Sequence, residues 1–339
     1  MTPEESPPPI LILNPSAGAA LDDPQLLTRL NAHPALRGVE TVLTHQDRDV
    51  RTLAGEARDA GREKILVGGG DGTIHGAVNG ILEGLDPHAL PSADSLPILS
   101  VLPMGTGNDL ARSLGLPLDP WKALDELDWN RVRPVDLIRT EGEIEGWCIN
   151  VISGGLAEKE GMSRDGSGKT SLGTMAYWRR GILTMTDEHE PYALSLVLDG
   201  DTRMEFRAQD LVLGNGRYAG GGIPVAPEAS LDDGRLDLLL VPELERAEMG
   251  LLMPRLVLGT HHRHERILFK KIRNLELEAE PPLHLSLDGE LTRAGAVAFR
   301  VVPEGLRVVV GSGEDLPGFP REDPRDDPQE EPQEEPPTD

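Results

Sequence analysis

The stretch from Lys64 to Gly80, KILVGGGDGTIHGAVNG, has the composition of a phosphate-binding turn. Its first residues form an apolar run of strand length, and the residues after the glycines recur at helical spacing. Glycine allows close backbone approach, and a helix N-terminus offers unpaired N–H groups with a partial positive charge. The stretch predicts a phosphate site, with a turn that needs glycine only for steric reasons as the alternative. The inner face of the predicted helix carries Ile74, Ala77, Val78, Ile81 and Leu82.

The acid within this turn, Asp71, needs a separate explanation. The stretch lacks the GK[ST] of a Walker loop, and its aspartate interrupts the G-x-G-x-x-G spacing of a dinucleotide loop. A carboxylate inside an anion site is unfavourable unless it holds a metal or receives a proton. Asp71 is therefore interpreted either as a ligand, direct or through water, of a magnesium ion carried by a nucleotide, or as a base that faces a substrate hydroxyl.

A second turn of the same kind follows in ILSVLPMGTGNDLARSLGLP. Gly105 and Gly107 again permit close approach, and either Asn108 or Asp109 could cap the next helix, which would by itself explain an acid there. Both turns follow predicted parallel strands. Because ligands of open α/β sheets bind at the carboxyl ends of the strands, the two turns are expected to form one site.

These turns need a sheet to position them, and the first half of the chain has the alternating pattern of a parallel α/β domain. Strands are predicted at ILILNPSAG, VETVLT, KILVGGG and ILSVLP, with helices at PQLLTRLNAH and DVRTLAGEARDAG, the latter ending at Gly61. After about Asp136, short apolar runs bounded by Gly, Pro and Asp predict a β-rich domain. Its predicted strands are EGWCINVI, YALSLVLDG, TRMEFRAQDLVLGNG, GRLDLLLV, IRNLELEAE, LHLSLDGE, AVAFRVVPE and LRVVVGS, and its predicted helices are SLGTMAYWRRGILTM and RAEMGLLMPRLVLGTHH.

The chain is accordingly divided into a disordered extension at 1–9, an α/β domain at 10–136, a β-rich domain at 137–311 and a disordered tail at 312–339. The tail is rich in proline and carries eleven acids against two arginines, too little apolar surface to order itself. An acidic interaction segment is the alternative for this tail. The last strand could end in the β-rich domain or rejoin the first one, and the sequence leaves both open.

Composition excludes several classes of function. A formal net charge of −25 repels polyanions, so nucleic acid is not expected as a partner. The single cysteine, Cys148, cannot form an internal disulfide and is expected to be a buried thiol in a reducing compartment. The N-terminus lacks the pattern of a signal peptide, and no apolar run reaches the ~20 residues of a membrane span. A soluble, cytoplasmic protein is the expectation.

The order of GGGDGTI, PMGTGNDLARSLG, GNGRYAGGGIPVAPEASLDDGRLDLLLV and SLDGE resembles the diacylglycerol kinase catalytic family, above all its bacterial YegS-type lipid kinases. The resemblance extends from about Ile10 to Gly311. The run from Gly214 to Val241 separates the chain from NAD kinases and 6-phosphofructokinases, which share the glycine-aspartate-glycine loop. The resemblance implies an α/β domain that binds ATP, a β-rich lipid-substrate domain, and an active site in the cleft between them.

By resemblance, Glu290 is the proton acceptor, and Asp71 and Asp109 organise the catalytic Mg²⁺. A plain turn after a strand is the alternative for Glu290, and an acidic hairpin turn is the alternative for PEASLDDGRLDL. The structural metal ligands implied there are the carboxylate of Asp233 and the carbonyls of Ser230 and Arg235. The implied nucleotide contacts are Thr44, Gly69, Gly70, Asp71, Gly72, Thr73, Ile74, His75, Gly105, Thr106 and Asn108.

The implied function is ATP-dependent, magnesium-assisted phosphorylation of a lipid hydroxyl, with diacylglycerol or a related lipid as substrate. The enzyme would touch the membrane only peripherally. A homodimer is a further expectation, which the sequence itself does not decide. The acidic surface of the enzyme opposes tight attraction to anionic lipid.

The chain departs from the family at His75 and Gly76, where Asn and Glu are common, and no lysine follows NPSAG. Backbone groups or arginines such as Arg112 must therefore contact the phosphates. These departures motivate a second hypothesis, a catalytically weak regulator that binds nucleotide or lipid. A third is transfer to a soluble substrate, as in NAD kinase.

Two further motifs are interpreted structurally. HHRHER, His261 to Arg266, lacks a recognised ligand spacing and is expected to be a solvated basic helix end instead of a metal site. YWRRGILTM combines Trp178 and two arginines with apolar residues; a helix that faces the core is expected there, and a lipid contact is the alternative.

Overall fold

The computed structural model describes residues 6–18, 25–155, 191–313 and 316–319. The predicted helix SLGTMAYWRRGILTM and residues 1–5 and 320–339 of the predicted extensions lie outside this part of the chain. Within the described residues, no helix has both the length and the apolar character needed to cross a membrane.

The first part of the chain forms a parallel sheet with the strand order β2-β1-β3-β4. The predicted strands and helices are present here. β1, β3 and β4 are almost wholly buried, as their uninterrupted apolar runs require, whereas β2 is only partly buried because it lies at the edge of the sheet. The strands are β1 Ile10–Leu13, β2 Glu40–Leu43, β3 Lys64–Gly69 and β4 Ile98–Pro103, and the helices are α1 Leu26–Ala32, α2 Val50–Asp59, α3 Asp71–Leu82, α4 Asp109–Ser113 and α5 Pro120–Asp125.

The second part is predominantly antiparallel β-structure. Its first strand, β5, was not predicted from the sequence, and β14 and β15 were each predicted as two strands. The strands are β5 Val132–Gly142, β6 Gly146–Cys148, β7 Val151–Gly155, β8 Tyr192–Leu198, β9 Thr202–Gly214, β10 Tyr218–Ala219, β11 Ile223–Pro224, β12 Leu236–Pro242, β13 Leu268–Ile272, β14 Asn274–Leu287 and β15 Glu290–Val309, and one helix, α6 Arg246–Val257, follows β12.

The longest strand, β15, connects the two parts. Its first half pairs antiparallel with β14, and near its end Val308 pairs with Leu99 of the parallel strand β4. The main sheet therefore continues in the order β13-β12-β9-β7-β14-β15-β4-β3-β1-β2. Because β15 begins at Glu290 and ends beside β4, a single strand carries a candidate catalytic residue and pairs with the parallel sheet next to β4.

Two large apolar clusters stabilise this arrangement. One contains the inner faces of α2 and α3 against β1, β3 and β4, and the residues predicted for the inner face of α3 are each no more than 1% exposed. The other fills the β-rich part and includes the predicted buried thiol, Cys148, which is fully buried.

The described part of the acidic tail differs from the expectation of a wholly solvated segment. Leu316 and Phe319 are buried and join the cluster of the α/β part. The Gly318 backbone donates its N–H to Ser113 O and accepts from Leu231 N, both at 2.7 Å. These two apolar side chains and backbone bonds fix residues 316–319, although the surrounding composition is that of a solvated tail.

Candidate active site

The two glycine turns meet at the carboxyl ends of β3 and β4, as expected. Gly70 is the N-cap residue of α3 with extended backbone, and a Cβ on Gly70 would lie 3.1 Å from Gly105 Cα. A side chain at either residue would push the two turns apart. Glycine is therefore required sterically, and the same arrangement leaves the N-terminus of α3 open for an anion.

Asp71 links the two turns. Its Oδ1 accepts hydrogen bonds from the backbone N–H groups of Asp109 at 2.8 Å and Leu110 at 3.2 Å. Asp71 thus caps α4 from outside that helix. The expected caps, Asn108 and Asp109, do not have this role: Asn108 is in the left-handed region with φ 53° and bonds Gly105 through both side-chain atoms. The cap could not be read from local sequence because it comes from another turn.

Asp109 extends the connection to the second part of the chain. Its Oδ2 accepts from Gly221 N at 2.9 Å, and its Oδ1 accepts from Gly222 N at 2.6 Å. Gly221 and Gly222 have φ of 83° and 99°, a conformation that favours glycine. Asp109 therefore fastens the glycine-rich turn between β10 and β11 to the mouth of the α/β part.

These two acids form an electrostatically strained pair. Burial, together with the nearby Asp109 carboxylate, raises the pKa of Asp71 to about 6, and burial raises the pKa of Asp109 despite its two backbone hydrogen bonds and the nearby Arg112. A Cβ on Gly107 would meet Oδ2 of Asp71 at 2.8 Å and Oδ2 of Asp109 at 3.3 Å, so the two oxygens face the same spot. Adjacent, desolvated carboxylate oxygens fit a hard divalent cation such as Mg²⁺.

Glu290 lies opposite the first turn. It follows Asp288 and Gly289, both with positive φ, and a Cβ on Gly72 would collide with Glu290 Oε1. The carboxylate therefore lies against the first turn of α3, and it lines a cavity of about 440 Å³, a size typical of ligand pockets. The residues that line this cavity are Asn14, Ala17, Thr44, His45, Asp49, Val50, Gly70, Gly72, Thr73, Gly105 and Glu290.

Asp288 fixes the turn that carries Glu290. Its carboxylate is buried and accepts from three successive backbone N–H groups, those of Ile149 at 2.9 Å, Asn150 at 2.9 Å and Val151 at 3.0 Å. His75 Nδ1 lies 3.2 Å from Asp288 Oδ2. Burial alone would lower the pKa of His75, but the hydrogen bond and charge of Asp288 outweigh it, so the pKa is raised. Asp288 is a positioning residue that the sequence analysis missed.

We expect Asp288→Asn to lower the free energy of unfolding by about 3 kcal/mol, because an amide NH₂ would oppose N–H groups that now donate to carboxylate oxygen. Urea unfolding measures this. Asp199→Asn is the matched control, since Asp199 also has positive φ but accepts its two backbone bonds through Oδ1 alone, which asparagine retains. Equal stability of Asp288→Asn and the wild type would contradict the role of this carboxylate.

The structure distributes the proposed nucleotide contacts over two locations. Thr44, Gly70, Gly72, Thr73 and Gly105 line the cavity. The remaining residues lie around the cavity. Gly69 and Ile74 are buried beneath the turn, and Thr106 is exposed next to Gly18. His75 contacts Asp288, and Asp71 and Asn108 form hydrogen bonds that hold the loops together.

Several cavity residues were missed. Asn14 donates to Thr73 Oγ1 at 3.1 Å, and its position directly after β1 in NPSAG was the available signal. Asp49 caps α2 by accepting from Thr52 N, a role that sequence could suggest without indicating the cavity. Among the described lining residues there is no Lys or Arg, in line with the missing lysine after NPSAG.

The acidic turn PEASLDDGRLDL is organised by a lysine. Lys271 Nζ lies 2.9 Å from Asp233 Oδ2, 3.2 Å from Asp237 Oδ1 and 3.1 Å from the carbonyl of Glu228. The other oxygen of Asp233 accepts from Arg235 N, and the Ser230 hydroxyl donates to Asp232. An ammonium group therefore already neutralises Asp233, the side-chain ligand implied for a structural metal.

We expect Lys271→Met to destabilise the protein by about 3–5 kcal/mol at pH 8, because it leaves the buried Asp237 without its counter-ion. Burial raises the pKa of Asp237 to about 6, so the deficit should shrink as Asp237 becomes protonated below that pH. Thermal unfolding at pH 8 and pH 5 measures both effects. The exposed neighbour Lys270 provides the control, Lys270→Met, and a Lys271→Met protein as stable as this control would contradict the assignment.

The expectation for HHRHER was wrong for its first two residues, whereas Arg263, Glu265 and Arg266 are exposed as expected. His261 and His262 are 4% and 8% exposed, and their Nε2 atoms lie 3.0 Å from Val225 O and 2.8 Å from Glu228 Oε1. Burial lowers the pKa of His261 to about 4. The two histidines contact Val225 and the start of the acidic turn, and their burial comes from these partners, which are distant in the sequence.

The chain matches two family models in succession. Residues 8–140 match the diacylglycerol kinase catalytic domain, and residues 164–310 match the YegS C-terminal NAD kinase beta sandwich-like domain. A Stenotrophomonas maltophilia protein named "probable lipid kinase YegS-like" is 34% identical over 283 residues, which cover 83% of this chain and 89% of that protein. A Pseudomonas aeruginosa protein of the same name is 34% identical over 275 residues, covering 81% and 85%.

Solved structures agree with the predicted fold class. A diacylglycerol kinase from Bacillus anthracis has a TM-score of 0.72 at 23% identity, covering 91% of this chain and 99% of that chain. An NAD kinase from Archaeoglobus fulgidus in complex with ATP has a TM-score of 0.50 at 12% identity, covering 90% and 94%. These likenesses concern the fold, and they confirm an α/β domain of the NAD kinase and diacylglycerol kinase kind followed by a β-rich domain.

Proposed function

The chain belongs to the YegS-like lipid kinases with a diacylglycerol kinase catalytic domain, and from this premise we propose that it transfers the γ-phosphate of ATP to the hydroxyl group of diacylglycerol or a closely related lipid. The observation that carries the proposal is the position of Glu290, whose carboxylate lies against the first turn of α3 and lines the same cavity as both glycine turns.

In this proposal the cavity holds ATP, with the phosphates at the N-terminus of α3. The N–H groups of residues 70–73 and the helix dipole favour negative charge there. The cavity residues within the described part of the chain include no Lys or Arg, so in this proposal backbone donors and a divalent ion balance the triphosphate. Arg112 is the candidate cation at the far side of Asp109; its guanidinium lies against Gly222 and 5.9 Å from the ring of Tyr218.

Glu290 accepts the proton of the lipid hydroxyl. The hydroxyl oxygen forms a bond to the γ-phosphorus, the bond from the γ-phosphorus to the bridging oxygen breaks, and ADP leaves with that oxygen. Asp71 and Asp109 would hold Mg²⁺, which when bound neutralises charge on the phosphates. Asp109 also accepts hydrogen bonds from Gly221 and Gly222, so one of the two acids that would bind the ion also joins the glycine-rich turn of the second part to the site.

The remaining features of the proposed enzyme follow from its substrate. A lipid acceptor requires contact with a membrane surface, and none of the described helices could span a bilayer, so we propose peripheral contact by a cytoplasmic enzyme. A structural Mg²⁺ at Asp233 and the carbonyls of Ser230 and Arg235, and a homodimer, are further parts of the proposal. For the metal, the Lys271 contact is the competing arrangement.

The proposal is tested by incubating the purified chain with γ-labelled ATP, Mg²⁺ and separate acceptors: diacylglycerol, monoacylglycerol, phosphatidylglycerol, a sphingoid base and NAD. Label in diacylglycerol or another glycerol-bearing lipid is expected. Label in NAD would contradict the lipid substrate and favour the soluble-acceptor hypothesis. Nucleotide binding, measured by calorimetry, without transfer to any acceptor would favour a regulator that retains the fold.

A further inference from the structure

The outer face of α6 is apolar and uncovered in the described part of the chain. Leu251, Val257 and Leu258 are 73%, 62% and 74% exposed, and they are half of the six large exposed apolar residues among the described ones. Ala247, Gly250 and Pro254 continue the same exposed stripe. A helix of a globular protein normally directs its apolar stripe inward, so a second stripe facing solvent indicates an interaction surface.

The charge around this stripe differs from that of the whole chain. Acids make up 58 of 339 residues, yet residues 249–264 contain none. Arg255 is exposed on α6. Arg263, in the short helical turn after α6, has a side chain that is 72% exposed and whose guanidinium lies 3.8 Å from Glu228 Oε1, an exposed surface pair that a lipid phosphate can replace. Two arginines at the C-terminal end of an apolar stripe, within a chain of net charge −25, match an anionic lipid surface.

The inner face of the same helix reaches the catalytic cleft. Leu256 packs with Ile223 and Val225, the residues that follow the turn held by Asp109, and with Val151, whose N–H donates to Asp288. One helix therefore has its outer side exposed and its inner side against the segments that position both Asp109 and Glu290. If the outer side of α6 contacts a bilayer, the bilayer lies next to the cleft.

We propose that the α6 patch, defined as Leu251, Val257, Leu258, Arg255 and Arg263, is the surface by which this protein docks on an anionic bilayer. The leucines and the valine enter the boundary between headgroups and acyl chains, while the arginines contact lipid phosphates. The inference rests on the proposed lipid kinase function. A second copy of the chain fits less well, because a stable protein interface uses about 20–30 residues from each side and this patch offers few.

Flotation of the full-length protein on phosphatidylcholine vesicles with and without phosphatidylglycerol tests the proposal. The Leu251→Glu/Leu258→Glu double variant should bind the anionic vesicles about tenfold more weakly than the wild type or worse, since it places carboxylates at an anionic surface. Leu27→Glu on α1 is the control, because Leu27 is an exposed leucine of another helix at 40% exposure. Arg255→Gln/Arg263→Gln should weaken binding only to the vesicles that contain phosphatidylglycerol.

Flotation does not depend on catalysis, so it separates this inference from the proposed function. Vesicle binding that needs the α6 patch would support docking even if no lipid is phosphorylated. If the kinase is active, the double variant should lose activity on diacylglycerol in vesicles but keep it on a monomeric short-chain diacylglycerol. Equal vesicle binding by the double variant and the wild type would overturn docking at this patch. Docking at this patch would also be overturned if light scattering shows that the wild type is a dimer and the double variant a monomer, while both bind vesicles equally.

Discussion

Replacing Glu290 with glutamine is expected to lower kcat for lipid phosphorylation by about 10²–10⁴, the range in which positioned acid-base groups act. Glutamine has the same shape but cannot accept the proton of the hydroxyl group. The side chain is exposed at the start of β15, so the substitution should leave the stability unchanged. ATP affinity should not fall, because the removed negative charge lies beside an anion site and its loss weakens no phosphate contact.

Steady-state kinetics with labelled ATP, together with calorimetric titration of ATP, measure these quantities. Glu278→Gln is the matched control, an exposed glutamate on the adjacent strand β14. Its kcat should equal that of the wild type. If Glu290→Gln retains the wild-type kcat, another group or bulk water accepts the proton, and the assignment of Glu290 is wrong. A loss of ATP binding instead of kcat would place Glu290 in nucleotide recognition.

Asp71→Asn is expected to reduce activity by at least about 10³ and to raise the stability of the metal-free protein. Activity falls because the amide is a poor ligand for Mg²⁺ and a poor charge partner for it. The cap on α4 survives, because Asp71 accepts both backbone bonds through Oδ1 and asparagine has that oxygen. The variant therefore removes the charge and keeps the hydrogen bonds.

The sign of the stability change follows from the pKa of Asp71. Burial and Asp109 raise this pKa to about 6 in the folded protein, above its ordinary value near 3.8. As the pH rises, Asp71 therefore loses its proton at a lower pH in the unfolded chain than in the folded protein. The stabilising contribution of protonated Asp71 to the free energy of unfolding is fully present below about pH 3.8 and is lost as the pH rises through 6. At pH 7.5 the ionised Asp71 therefore lowers the free energy of unfolding by up to about 3 kcal/mol. Asparagine does not titrate and avoids this cost.

Thermal unfolding without metal at pH 7.5 should show a higher Tm for Asp71→Asn than for the wild type. Added Mg²⁺ should raise the Tm of the wild type more than that of the variant. Asp109→Asn is the informative comparison: both oxygens of Asp109 accept backbone N–H groups, so asparagine loses one bond and stability should fall. A lower Tm for Asp71→Asn would show that its charge is compensated in the folded protein.

Local patterns predicted the elements that position the site. The helical spacing after GGGDG correctly identified the inner face of α3, and the apolar runs identified the parallel strands, because burial within one element leaves a periodic signal. The β14 and β15 strands were each divided because proline and glycine were interpreted as ends. In the structure the register of β15 shifts between Val302 and Leu306, with Glu304 at φ 50°, and the strand continues.

Contacts between distant segments were not predictable in this way. Asp288 precedes Glu290 in SLDGE, but its three donors lie at 149–151, more than a hundred residues away. Asp71 was recognised as an acid that needed a partner, yet its partners are backbone groups of another turn. The same reason explains His261 and His262, whose burial depends on Val225 and Glu228. Sequence patterns describe elements, whereas these side chains respond to the tertiary assembly.

The central chemical claim is that the cleft between the glycine turns and Glu290 transfers phosphate from ATP to a lipid hydroxyl. The most direct measurement is the radioactivity of the organic phase after the wild type or Glu290→Gln is incubated with γ-labelled ATP, Mg²⁺ and a total bacterial lipid extract. The account predicts one labelled glycerol-bearing lipid with the wild type and almost none with the variant. Label confined to the aqueous phase, or equal lipid labelling by both proteins, would contradict it.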